Sequence, residues 1–129
     1  AEGIRMALHC AKQEFENVTV NGEKVAEMKA AGQLEFGQVP VVEMDGTFYS
    51  QGWSILRYIC RKHEMYPESL ADQYRVDSLV DSVEDFLQKF TGAMFAADPE
   101  VKKTKFAQFF EWLPFWLNVI EKRLEKNTS

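Results

Sequence analysis

The spacing of apolar residues changes several times along the first half of this chain, and each change predicts a new element. Ile4, Leu8 and Ala11 share a face at helical spacing, so residues 2–12 are predicted to form a helix. Phe15 to Val20 alternates instead, with Phe15, Asn17 and Thr19 on one side and Glu16, Val18 and Val20 on the other. That period and its β-branched content predict a strand. Asn21-Gly22 is a turn dipeptide. Residues 23–31 read as a short helix, and Gly32 is placed to cap its end. Val39-Pro40-Val41-Val42 is a strand whose early proline marks an edge, an end or a bulge. Asp45-Gly46 signals a hairpin, with Thr47-Phe48-Tyr49 as the returning strand. Ser50 is placed to cap the helix over residues 51–63, whose buried stripe is Ile55, Leu56 and Ile59.

From there the pattern is helical only. Residues 65–69 read as a linker with Pro67. Residues 70–97 form one long amphipathic helix on Val76, Val80, Val83, Leu87, Phe90 and Met94. Asp98-Pro99 ends it and starts the next. Residues 100–126 carry Phe106, Phe110, Leu113, Leu117, Ile120 and Leu124 in register, with Pro114 expected to bend the helix. Asn127-Thr128-Ser129 is a polar tail. The predicted fold class is therefore α/β plus all-α. A small unit over residues 1–64, in the order αβαββα, precedes a helical unit over 70–129 with two long helices.

Composition narrows the function classes. The chain has 129 residues, 46% of them hydrophobic, which suffices for a real core and excludes a disordered tail. Fifteen basic against twenty acidic residues give a net charge of −5. That balance provides no basic face for nucleic acid and no polybasic membrane patch. No apolar run approaches the roughly 18 residues of a membrane span. Glu2, Arg5 and His9 within the first ten residues exclude a signal peptide there. The chain starts at Ala1, so a processed, tagged or incomplete product is expected. Cys10 and Cys60 read as free, buried or half-buried thiols of a reducing compartment, and a cytoplasmic location is expected.

Sharp catalytic motifs are absent: there is no phosphate loop, no metal-spaced Cys/His cluster and no nucleophile elbow. His9 and His63 read as surface or capping residues. Asp77, Asp81, Glu84 and Asp85 share one helix face and read as a solvated stripe rather than a metal site. The informative stretch runs from Gly37 to Tyr58. A cis Val39–Pro40 bond would turn the Val39 main chain outward, where an extended peptide pairs with it. The helix start behind it favours a carboxylate, and Gln51 there offers donors and an acceptor. A peptide-like ligand with a free carboxylate fits. The bland alternative stays open on these residues alone: Pro40 ends an edge strand and Gln51 is a surface cap.

The stretch resembles the soluble glutathione transferases. Their pattern Gly-Gln-(Val/Leu/Ile)-Pro-Val-Leu-Glu-x-Asp-Gly is matched over Gly37–Gly46, and Gln-Ser-x-Ala-Ile-Leu-Arg-Tyr over Gln51–Tyr58. Ala1-Glu2-Gly3-Ile4-Arg5 resembles the start of the family's first helix, and Met65-Tyr66-Pro67 its domain linker. Val76-Asp77-Ser78-Leu79-Val80-Asp81 resembles the opening of the helical domain. The flavour is closest to the sigma-like and related tyrosine-type classes. The resemblance implies a thioredoxin-like domain and a helical domain, both incomplete here, with glutathione as co-substrate and no other cofactor. Val39, before Pro40, would pair with the cysteinyl part of glutathione, and Gln38 would lie close to the tripeptide backbone. Gln51 and the Gly52 amide would hold the γ-glutamyl carboxylate, Lys29 the glycyl carboxylate. Asp85 would reach across a homodimer interface to the γ-glutamyl ammonium. In some sigma-class members a similar acidic cluster binds a divalent cation at the interface, but Asp77, Asp81, Glu84 and Asp85 are read here as a solvated stripe and no metal is expected.

Two departures stand out. The family's Ser after Gln is Gly52, and the aromatic residue four positions before Lys29 is Val25. The resemblance also places the catalytic Tyr (Ser or Cys in other classes) on a first strand upstream of residue 1. That interior strand would lie between Phe15–Val20 and Val39–Met44, so its absence would leave unpaired backbone groups. Phe106, Phe109, Phe110, Trp112, Phe115 and Trp116 would keep apolar surface uncovered. The expected function is glutathione binding, with conjugation to electrophiles in a complete parent chain. The alternative is a non-catalytic scaffold or accessory subunit of a larger complex.

Overall fold

A computed structural model describes residues 1–127. Thr128 and Ser129, the end of the expected polar tail, lie outside the described residues. In chain order the elements are α1 (Glu2–Cys10), α2 (Gly22–Ala30), β1 (Val41–Met44), β2 (Thr47–Ser50), α3 (Gly52–Lys62), α4 (Leu70–Met94) and α5 (Pro99–Glu125). The chain divides into two compact units, Ala1–Tyr74 and a second that begins at Arg75 within α4.

The first unit is a thioredoxin-like α/β unit reduced to two strands. Asn21 opens α2 by accepting a hydrogen bond from the Lys24 amide at 2.9 Å. Gly32, at φ +72°, lets the chain leave the helix in the left-handed region. Asp45 and Gly46 both take positive φ (52° and 77°), as a two-residue hairpin matched to strand twist requires. The hairpin sets the antiparallel register Val41↔Ser50, Val42↔Tyr49, Glu43↔Phe48 and Met44↔Thr47. Its core is small: Ile4 and Ala7 of α1 meet Ile55 and Ile59 of α3, with Val42 and Tyr49 closing on them from one sheet face.

Three expectations for this unit fail, each for a stated reason. Phe15–Val20 is not a strand: it is irregular, and no backbone–backbone hydrogen bond ties residues 14–20. Alternation only makes a strand where a neighbouring edge accepts it, and among the described residues the sheet is β1–β2 alone. Ser50 does not cap α3. Its pairing with Val41 holds it in β2, and its hydroxyl is buried without a partner. Gln51 takes the capping position instead, at φ 70° and ψ 104°. Cys10, in the last turn of α1, is exposed rather than buried, whereas Cys60 is half-buried against the core.

In the second unit Asp98 caps α5, accepting from the amides of Glu100 (2.8 Å) and Val101 (3.1 Å), with Pro99 as the first helical residue. α4 and α5 pack through aromatic rings. Phe86 lies 4.9 Å from Trp116 and 5.4 Å from Phe109, and Phe90 5.6 Å from Phe109 (centroid distances). Trp116 Nε1 donates to the Ser82 carbonyl at 3.2 Å, and Arg123 donates to Ser78 Oγ at 2.8 Å. The covered seam of α5 is therefore Phe106, Phe109, Leu113, Trp116, Ile120 and Arg123, in steps of three and four. It shares Phe106, Leu113 and Ile120 with the expected stripe. Phe110, Leu117 and Leu124 stay 61%, 51% and 66% exposed. The reason is that α5 is apolar over more than one face, and the large rings at 109 and 116 claim the seam. On α4, Val76, Leu87 and Met94 are likewise exposed, while Ala93 is buried.

Candidate functional site

The site is built on the start of α3. Gln51 precedes an eleven-residue helix and spends no side-chain hydrogen bond on capping it. Its amide group therefore stays available. The first-turn amides carry the positive end of the helix, and no acidic side chain sits there to compensate it. Gly52 brings this end against the hairpin: a Cβ at Gly52 would lie 3.5 Å from Pro40 Cγ. The Val39–Pro40 bond is cis. Val39 is 47% exposed, and its main chain enters no backbone–backbone hydrogen bond among the described residues.

Lys29 arrives from the last turn of α2. Gly37 sits at φ +66°, and a Cβ there would lie 3.5 Å from Lys29 Cε and 3.8 Å from Lys29 Nζ. The glycine is thus required by its backbone conformation, while the Lys29 side chain lies over it at ordinary contact distance. Lys29 enters no ion pair among the described residues. Gln38, next to Gly37, is exposed. A cation, the Val39 main chain and a helix N-terminus therefore lie around the Gly37–Pro40 segment. That set suits an extended peptide with carboxylates at its ends. Asp85 is not part of this grouping: it is exposed midway along α4, in the second unit.

Two features escaped sequence reasoning. The left-handed conformation of Gln51 carries no residue signal, because a glutamine there looks like any other cap. The Tyr49–Tyr58 stack, with ring centroids 5.0 Å apart, joins β2 to α3 across residues nine apart in sequence. A hydrogen bond with Tyr58 that favours the neutral Tyr49 phenol, and then the Tyr58 charge, push Tyr49 above its ordinary pKa. Burial, with Cys10 nearby, pushes the Cys60 thiol up as well. Among the described residues, no group of three or more His, Cys, Asp or Glu side chains is placed to hold a metal ion. Nor is any helix among them long and apolar enough to cross a membrane.

Comparison with known proteins gives one consistent set of relatives. The chain is 35% identical to glutathione S-transferase alpha-4 of Rattus norvegicus over 104 residues, covering 80% of this chain and 47% of that protein. It is 32% identical to glutathione S-transferase 2 of Manduca sexta over 125 residues, covering 96% of this chain and 61% of that protein. Among solved structures, a Nu-class transferase from Haemonchus contortus superposes with a TM-score of 0.74 at 28% identity, covering 100% of this chain and 64% of that one. The chain thus spans about half to three fifths of the length of these curated relatives. No family model matches it.

Proposed function

We propose that this chain, which belongs to the cytosolic glutathione transferase family, binds glutathione at the Gly37–Pro40 segment and the start of α3. The observation that carries the reading is the convergence of Lys29 over Gly37, the Val39–Pro40 bond and the Gly52 helix start. The cysteinyl part pairs with the Val39 main chain. Gln51 and the Gly52 amide take the γ-glutamyl carboxylate, Lys29 the glycyl carboxylate, and Gln38 lies along the tripeptide. Glutathione is the co-substrate, and no further cofactor is assigned.

Conjugation to electrophilic small molecules is the activity proposed for the complete protein. The thiol gives up its proton and the thiolate sulfur bonds to the electrophilic carbon. That carbon either releases its leaving group with the bonding electron pair or, in an addition, passes its π pair to the neighbouring atom, which takes up a proton. The residues above bind and orient, and none of them is assigned the role of lowering the thiol pKa. Exposed Phe110, Leu117 and Leu124 support a homodimer through the helical unit, across which Asp85 would reach the γ-glutamyl ammonium. The two free thiols accord with a cytoplasmic setting. A non-catalytic scaffold is less favoured, because the named relatives are transferases.

Isothermal titration with glutathione tests the site. Gln51→Ala should weaken binding more than tenfold with the fold intact, since it removes hydrogen bonds to a charged group. An unchanged affinity would remove Gln51 from the pocket.

A further inference from the structure

The seam between α1 and α3 ends in two thiols. On α1, Gly3, Ala7 and Cys10 follow one another in steps of four and three and share a face. On α3, Leu56 and Cys60 are four apart and share another. These two faces meet. A Cβ at Gly3 would stand 3.7 Å from Leu56 Cδ2, and Ala7 is buried in the core against which Leu56 and Cys60 pack. Small residues at 3 and 7 let the helices approach closely, and the same face carries Cys10 toward Cys60. After burial, the second push on the Cys60 thiol comes from Cys10, so the two thiols are neighbours.

Their surroundings differ. Cys10 is exposed and Cys60 half-buried. An accessible thiol beside a second, sheltered one is the arrangement of a sensing and a resolving cysteine. Cys10 is also the last residue of α1, and the chain turns away in the left-handed region at Lys12 (φ 54°). That end of the helix can close on Cys60 while Ile4 and Ala7 stay in the core.

We propose that Cys10 and Cys60 form a reversible thiol switch, oxidised to an intramolecular disulfide by a low-molecular-weight disulfide such as glutathione disulfide. The Cys10 thiolate attacks one sulfur of that disulfide, forming a mixed disulfide and expelling one thiolate, which takes up the Cys10 proton. The Cys60 thiolate then attacks the Cys10 sulfur and expels the second thiolate, which takes up the Cys60 proton. Two protein thiols are oxidised, and one small disulfide is reduced to two thiols. Excess small thiol runs both steps backwards. Burial keeps Cys60 protonated, so the second step is the slower one. The switch does not depend on the proposed glutathione site, because any small disulfide that reaches Cys10 serves.

The test treats the folded 129-residue chain with glutathione disulfide at neutral pH and follows intact mass and peptide maps. A single glutathionyl adduct on Cys10 is expected first. A chain short of two hydrogen atoms should follow, with the Cys10 and Cys60 peptides joined. Dithiothreitol should restore both thiols. In Cys60→Ser the Cys10 adduct should accumulate and persist. In Cys10→Ser, thiolation of Cys60 should be about tenfold slower, or more, than that of Cys10 in the unsubstituted chain. The unsubstituted chain alone decides the order of the steps, whatever the variants' stability. A persistent adduct on its Cys10, thiolation of Cys60 first, disulfides only between chains, or no reaction would overturn the proposal. So would joined peptides that appear only in urea.

Discussion

Gly52 is where one absent hydroxyl bears most directly on ligand affinity. Its Cβ position is open, with Pro40 Cγ at 3.5 Å in ordinary contact and no left-handed φ to forbid a side chain. Gly52→Ser should therefore fold normally and add a hydrogen bond to the carboxylate, about 1.5–3 kcal/mol. Titration should show glutathione bound about tenfold tighter or better; no gain would place the carboxylate elsewhere. Gly37→Ala has the opposite sign. At φ +66° a Cβ costs about 1–2 kcal/mol, with Lys29 only at ordinary contact distance, so denaturant unfolding should report lower stability through the backbone alone. Thiol chemistry gives a third check. Burial holds Cys60 protonated, so iodoacetamide should label exposed Cys10 well before Cys60 at neutral pH, read by peptide mass. The identities of Lys29, Val39, Gln51 and Gly52 as candidates were legible in sequence. The Gln51 backbone was not, because it follows from the Val41↔Ser50 pairing that withdraws Ser50 from the cap.

At the scale of elements, helices were read more surely than strands. Caps are local: Asp98-Pro99 starts α5 with two amide hydrogen bonds, as its residues predict. Asp98→Ala should cost about 1 kcal/mol of stability in urea unfolding, with little effect on glutathione affinity. The hairpin was equally local, since Asp45-Gly46 carries its own turn geometry. Phe15–Val20 was not, because a strand is a property of two chains and its pattern names no partner. The α5 seam failed for a related reason. Phe106 to Arg123 in steps of three and four and the expected stripe share three residues, and only the facing rings Phe86 and Phe90 of α4 decide between them.

For the whole molecule, two units each organise a different part of the reading. The first unit gathers the main chain, the cation and the helix start around the Gly37–Pro40 segment. The second presents an apolar α5 face beyond the seam with α4. The overall order of an α/β unit and then helices was legible because the turn and cap signals crowded into the first half give way to two long runs at helical spacing. The sheet size was not, since it depends on which edges meet. The central claim is that the Gly37–Pro40 segment and the start of α3 hold glutathione together. Amide NMR of the labelled 129-residue chain during glutathione titration tests it most directly. The account predicts saturable shifts at Lys29, Gln38, Val39, Gln51 and Gly52, with Asp98 and the rest of α5 unmoved. Shifts confined to other residues, or none at saturating glutathione, would contradict it.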